Sequence, residues 1–138
     1  MPMAKQSALE ILIVDDQLDI PLALSAMLKE LADVNISVVV DGQEAMGALA
    51  GTKFDLLFLD LQLPLVTGEE VLDAIATGED NIQKPRHIIV MSAGARLDEL
   101  RTRLSAGVVD GLLEKPFRYA DLQGIIADVT TGDFLSDL

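Results

Sequence analysis

Five side chains in this sequence could do chemistry and stand where an apolar run stops. Asp15 and Asp16 follow Ile11–Val14, Asp60 follows Leu56–Leu59, Ser92 follows His87–Met91, and Lys115 precedes Pro116. Singly, each has an ordinary structural role: an Asp or Ser after a strand caps the next helix, and a Lys before Pro sits in a solvated loop. Their joint placement asks for more. Three carboxylates brought within a few ångströms repel one another by about 1–4 kcal/mol per pair in partly solvated surroundings, so a cation must offset them. Mg²⁺, a hard ion that keeps several waters and takes one or two carboxylates plus a phosphate oxygen, suits such a shallow site. Zinc or copper would call for His or Cys, and the chain has one His and no Cys. A carboxylate beside Mg²⁺ can attack a phosphoryl group and become an aspartyl phosphate. A hydroxyl and an ammonium nearby would take the other phosphoryl oxygens.

The elements that must position these residues alternate between strand-length apolar runs and segments with helical apolar spacing. Strands are predicted at Leu9–Val14, Ile36–Val40, Asp55–Asp60, His87–Met91 and Gly111–Glu114. Between and after them, apolar helix faces are marked by Ile20, Leu24, Met27, Leu28 and Leu31, and by Ala45, Met46 and Leu49. Further faces follow at Val71, Leu72 and Ile75, at Leu97, Leu100 and Leu104, and at Leu122, Ile125, Ile126 and Val129. Asp41-Gly42 reads as the turn closing the second strand, and Gly51, Gly78 and Gly107 as helix stops. Five βα units are too few for a closed eight-strand barrel. Right-handed crossovers favour an α/β, flavodoxin-like doubly wound (βα)5 three-layer sandwich with parallel sheet order 2-1-3-4-5. Ligands of such sheets bind beyond the carboxyl ends of the strands, where the five side chains would stand.

The chain has 138 residues, a length for one domain, with 23 acidic and 10 basic side chains and a net charge of −13. This balance repels phosphate backbones and anionic lipid, so direct nucleic-acid and membrane partners are not expected. Without cysteine there is no thiol catalysis. Met1–Glu10 has no signal-peptide core, and the apolar runs fall far below the roughly 20 residues of a membrane span, so a cytoplasmic protein is expected. The expected organisation is an N-terminal extension at 1–8, a domain at 9–127, and a tail or helix end at 128–138.

The residues resemble the receiver domain of two-component response regulators. The resemblance is carried by Ile-Val-Asp-Asp at 13–16, Leu-Phe-Leu-Asp-Leu-Gln-Leu-Pro at 57–64 with Gly68, Ile-Val-Met-Ser-Ala at 89–93, Ala106-Gly107 and Glu-Lys-Pro-Phe at 114–117, in family order and spacing. It implies that Asp60 is the phosphoacceptor and that Asp15, Asp16, Asp60 and the Gln62 backbone carbonyl hold Mg²⁺. It further implies that Ser92 and Lys115 contact the phosphoryl group and that Pro116 follows a cis bond, which proline permits. The phosphoryl donor would be a sensor histidine kinase or a histidine phosphotransfer protein, and the output a protein target. The family's output face, made by its fourth helix, fifth strand and fifth helix, would be the place for a homodimer.

Three positions bear on switching and lifetime. Receivers commonly carry an aromatic three residues before the lysine, and here that position is Leu112, so the aromatic half of the switch is missing. In receivers the residues two after the phosphoacceptor and two after the hydroxyl influence how water reaches the acyl phosphate; the resemblance puts Gln62 and Gly94 there, and a lifetime on the short side is expected. Arg96, Arg101 and Arg103 lie close together on the expected output face, either as a docking patch or as a solvated helix face paired with Asp98 and Glu99. A dehalogenase-type phosphatase would need a second acid at position 62, which is Gln. A phosphotransfer module would need its His on a helix, and His87 starts a predicted strand. A flavodoxin would need a Ser/Thr-rich phosphate loop where Asp15 and Asp16 stand. The alternatives that stay open are a receiver-fold interaction module independent of phosphorylation, and a receiver excised from a longer regulator or hybrid kinase.

Overall fold

The structure is a computed structural model that describes residues 8–93 and 107–131. Its elements run β1 (Leu9–Val14), α1 (Asp19–Leu31), β2 (Val34–Val39), α2 (Gly42–Gly51), β3 (Leu56–Asp60), α3 (Gly68–Thr77), β4 (His87–Ser92), β5 (Gly111–Glu114) and α4 (Tyr119–Thr131), with a 3-10 turn at Glu79–Asn81. The five strands are parallel, in the order β2-β1-β3-β4-β5, as the alternation of elements predicts. The helix expected on Leu97, Leu100 and Leu104, with Gly94 and the three arginines, lies outside the described residues. Residues 128–131 continue α4.

Both faces of the sheet are apolar because both are covered. Successive strand side chains alternate between them. Leu12, Val14, Leu57, Leu59, Ile88 and Val90 pack with Leu49, Val71, Leu72 and Ile75 of α2 and α3. Ile11, Ile13, Leu56, Phe58, Ile89 and Met91 pack with Leu24 and Leu28 of α1 and Leu122 and Ile126 of α4. Strands built this way read as continuous apolar runs, and their first polar residue marks the sheet's carboxyl edge.

β2 ends at Val39 rather than Val40 and β4 runs on to Ser92; three further differences each trace to a polar side chain that finds a hydrogen-bond partner. β2 begins at Val34 rather than Ile36, since Asn35 pairs in register with Glu10 and its amide donates to that carboxylate at 2.7 Å. β3 begins at Leu56, because the Asp55 carboxylate leaves the strand pattern to accept the Glu10 N–H at 2.8 Å. Asp41-Gly42 is a helix start instead of a strand-closing turn: Asp41 accepts from the Glu44 N–H at 2.7 Å.

Gly68 fixes the approach of α3 to β3. A Cβ there would lie 2.6 Å from both the Asp60 carbonyl oxygen and the Leu61 Cα, backbone atoms that cannot swing away. Thr67 and Glu70 close a capping box around the same helix start, each hydrogen bond 3.1 Å. Gly68→Ala is therefore expected to push the helix off the strand end and to cost roughly 1–3 kcal/mol, read as a lower urea midpoint. An unchanged midpoint would show that the loop yields freely.

His87 opens β4 and is half-buried. Burial is the main cause that lowers its pKa from 6.5; Arg86 adds to the effect, while Asp110 and Asp55 oppose it. The neutral ring is favoured in the fold, so its stabilisation is complete above the unfolded value of 6.5 and fades as pH falls through it toward the lower folded value. His87→Gln should lose less stability than the parent between about pH 7.5 and about pH 5.5 in urea titrations. Parallel losses would remove His87 from the acid response.

Candidate functional site

The parallel sheet delivers Asp15, Asp60, Ser92 and Lys115 to one edge because each lies at or just past the carboxyl end of its strand. They meet around a cavity of about 310 Å³ whose lining includes Asp16, Gln17, Asp60, Gln62, Ser92 and Lys115. Asp15 stands beneath it, fully buried, while Asp60 is 5% exposed and Asp16 lies open to solvent.

Backbone groups hold both buried carboxylates. One Asp15 oxygen accepts the Gln17 N–H at 2.9 Å, and one Asp60 oxygen accepts the Gln62 N–H at 3.0 Å, the same two-residue Asx turn at both strand ends. The second oxygen of each is reached by Lys115. Its ammonium donates to Asp15 Oδ2 at 2.7 Å and to Asp60 Oδ2 at 3.2 Å. Lys115 is itself held by its backbone N–H, which donates to the Ser92 carbonyl at 2.8 Å, and by the cis peptide bond to Pro116.

Burial pushes the Asp60 carboxyl above the ordinary carboxylate range, and the neighbouring Asp15 adds to it. The Gln62 N–H and the Lys115 ammonium pull the other way without cancelling it. For Lys115, burial by itself favours the neutral amine. The hydrogen bonds to Asp15 and Asp60 and their charges outweigh burial and hold the ammonium above its usual value. Among the described residues the site thus holds one fixed positive charge against three carboxylates.

Carboxylate oxygens of Asp15, Asp16 and Asp60 lie within 4.8 Å of one another, close enough to share one ion. An all-oxygen donor set suits a hard divalent cation, and the open side at Asp16 leaves room for water or a phosphoryl oxygen. Leu112 is half-buried and packs against the core on the α2 and α3 side, presenting no polar atom. The Gln62 side chain is exposed at the rim. Gln17 escaped the sequence reading as a positioning residue. An Asp between a strand and a helix start was the available signal, because such an Asp closes an Asx turn on the residue two ahead.

The family model for the response regulator receiver domain matches residues 11–127. The transcriptional regulatory protein PrrA of Mycobacterium leprae is 31% identical over 116 residues, which are 84% of this chain and 47% of PrrA, so the chain spans about half the length of that relative. The chemotaxis protein CheY of Pseudomonas aeruginosa is 31% identical, with 79% of this chain and 86% of CheY covered. Among solved structures, the receiver domain of the sensor histidine kinase PA1611 from Pseudomonas aeruginosa PAO1, with a magnesium ion coordinated in its active-site cleft, superposes with a TM-score of 0.75 at 28% identity. That superposition covers 91% of this chain and 99% of the neighbour. No helix among the described residues is long and apolar enough to cross a membrane. With its sheet order, its convergent strand-end acids and a family match over most of its length, the chain belongs to the response regulator receiver domains of two-component signalling.

Proposed function

We propose that this chain accepts a phosphoryl group on Asp60 in a Mg²⁺-dependent reaction and signals through contacts with other proteins, in the cytoplasm. The observation that carries this reading is Asp60 itself. It is a nearly buried carboxylate at the cavity floor, one oxygen fixed by the Gln62 N–H and the other within reach of the Lys115 ammonium, with Ser92 on the same wall. The donor is a sensor histidine kinase or a histidine phosphotransfer protein, whose phosphoimidazole a carboxylate can attack in line. The new O–P bond forms on Asp60 as the N–P bond breaks, and the imidazole leaves with the electron pair. Small acyl phosphates present the same phosphoryl group with a carboxylate leaving group.

Lys115 and the Ser92 hydroxyl are placed to share the phosphoryl oxygens as charge moves onto Asp60. Asp15, Asp16, Asp60 and the Gln62 carbonyl would hold Mg²⁺, which when bound neutralises phosphoryl oxygens and keeps Asp60 ionised against burial. The exposed Gln62 side chain leaves the rim open to water, which favours a short-lived acyl phosphate.

Phosphoryl uptake from acetyl phosphate, followed by phosphate-affinity electrophoresis, is expected to need Mg²⁺ and to stop on chelation. Asp16→Asn, on the exposed side of the site, should raise the Mg²⁺ concentration for half-maximal uptake without preventing it. Uptake that is indifferent to Mg²⁺ would overturn the metal's part in this reading.

A further inference from the structure

We infer that the free edge of β2 is a docking site for an extended strand of another protein, with alternating apolar and polar side chains and basic residues at both ends. Among the described residues β2 pairs only with β1 and so forms one border of the sheet. Its odd-numbered residues face β1: at the two ends of the ladder, the Asp33 and Val39 carbonyls accept from Leu9 and Asp15 at 2.9 and 3.2 Å. The two-residue period then turns the N–H and C=O groups of Val34, Ile36 and Val38 outward. The next outward N–H, that of Val40, is closed by the Glu44 carboxylate at 3.1 Å. The other three residues use none of these outward groups in a hydrogen bond among the described residues.

Natural edges are protected by charges, proline, bulges or short length. The segment Val-Asn-Ile-Ser-Val-Val-Val at 34–40 carries neither charge nor proline, and Val38 is 42% exposed. By contrast β5, at the opposite border, is four residues long and ends on Glu114, with Lys115 next. The β2 edge is thus long enough and bare enough for strand addition, in which main-chain hydrogen bonds give affinity and alternate side chains give selectivity.

Charge selects the occupant. Asp33 and Asp41 flank the bare segment, Glu44 stands at its end, and the whole chain carries −13. A second copy aligned antiparallel along the full edge would bring Asp33 of each chain beside Asp41 of the other, which opposes self-pairing. A strand with Lys or Arg at its ends would meet those same acids favourably. Val34 and Ile36 pack toward α1, so the row on that face is apolar, while Asn35 and Ser37 present a polar row on the other. The added strand should match that alternation.

The test uses the full chain and a short capped peptide with lysine at both ends and alternating threonine and valine between them, followed by amide hydrogen exchange. The peptide should slow exchange at Val34, Ile36 and Val38, whereas the same peptide ended in glutamate should not. Val38→Pro removes an outward N–H and should abolish this protection. Asp33→Lys, at an exposed site, sets a like charge beside one terminal lysine of the peptide and is expected to weaken binding about fivefold, and it serves if the proline variant fails to fold. Absence of protection in the parent, or unchanged binding by both variants, would overturn the proposal. Protection of the same amides that appears without peptide and grows with protein concentration would also overturn it, in favour of a second copy.

Discussion

Asp60→Asn should take up no phosphoryl group from acetyl phosphate under conditions where the parent chain is fully labelled. The amide oxygen is not a nucleophile of carboxylate strength, while its shape preserves the site. Its carbonyl oxygen can still accept the Gln62 N–H now held at 3.0 Å, and Lys115 keeps its 2.7 Å partner in Asp15. The variant should also be at least as stable as the parent without metal, because it removes a carboxylate that burial and Asp15 both disfavour in ionised form. Loss of labelling can then be assigned to chemistry and not to unfolding. Intact-mass measurement after incubation with Mg²⁺ and the donor reads the first effect, and a urea midpoint in chelator reads the second. Labelling equal to the parent would place the acceptor elsewhere and remove the central claim of the functional proposal.

Lys115→Ala is expected to lower stability by about 3 kcal/mol in the presence of chelator, toward the low end for breaking a buried ion pair. The low end applies because the lysine side chain retains 13% exposure and the cavity admits water. Its loss leaves Asp15 fully buried and Asp60 nearly so, each without its 2.7 or 3.2 Å ammonium partner. Asp60, already pushed up by burial, would rise further. A carboxylate with a raised folded pKa favours folding below the unfolded value near 3.8, and that contribution is lost as pH rises through the folded value. The deficit of the variant should therefore be greatest at neutral pH and shrink on acidification. On the functional proposal Mg²⁺ would supply the missing cation, so it should stabilise the variant more than the parent in paired urea titrations. Equal stability in chelator, with equal response to Mg²⁺, would mean that Lys115 does not compensate the acids.

Much of this arrangement was legible in the chain. Strands buried on both faces leave long apolar runs, and the residues that end those runs, Asp15, Asp60 and Ser92, are polar because they leave the core at the edge where crossovers begin. Parallel topology places all such ends on one side, so their convergence follows from order alone. The start of β2 was less legible because Asn35 is polar for a reason 25 residues away, its bond to Glu10. The start of α2 was misread at Asp41-Gly42 because Asp-Gly serves both turns and helix starts. The Asp41 side chain, capping the Glu44 N–H, makes it the second, and Val66 requires glycine next, since a Cβ on Gly42 would fall only 2.0 Å from the Val66 carbonyl oxygen.

The sequence by itself determined the (βα) order, the two apolar faces of the sheet and the set of acids available at its carboxyl edge, because these depend on local period and on the first polar residue of each run. Only the tertiary structure decided that adjacent Asp15 and Asp16 differ, one fully buried and the other open, and that Lys115 stands between Asp15 and Asp60 rather than in solvent. It also decided which backbone groups of β2 face outward. These outcomes depend on side-chain direction and strand register, where a shift of one residue exchanges inside for outside, and no local pattern records that parity.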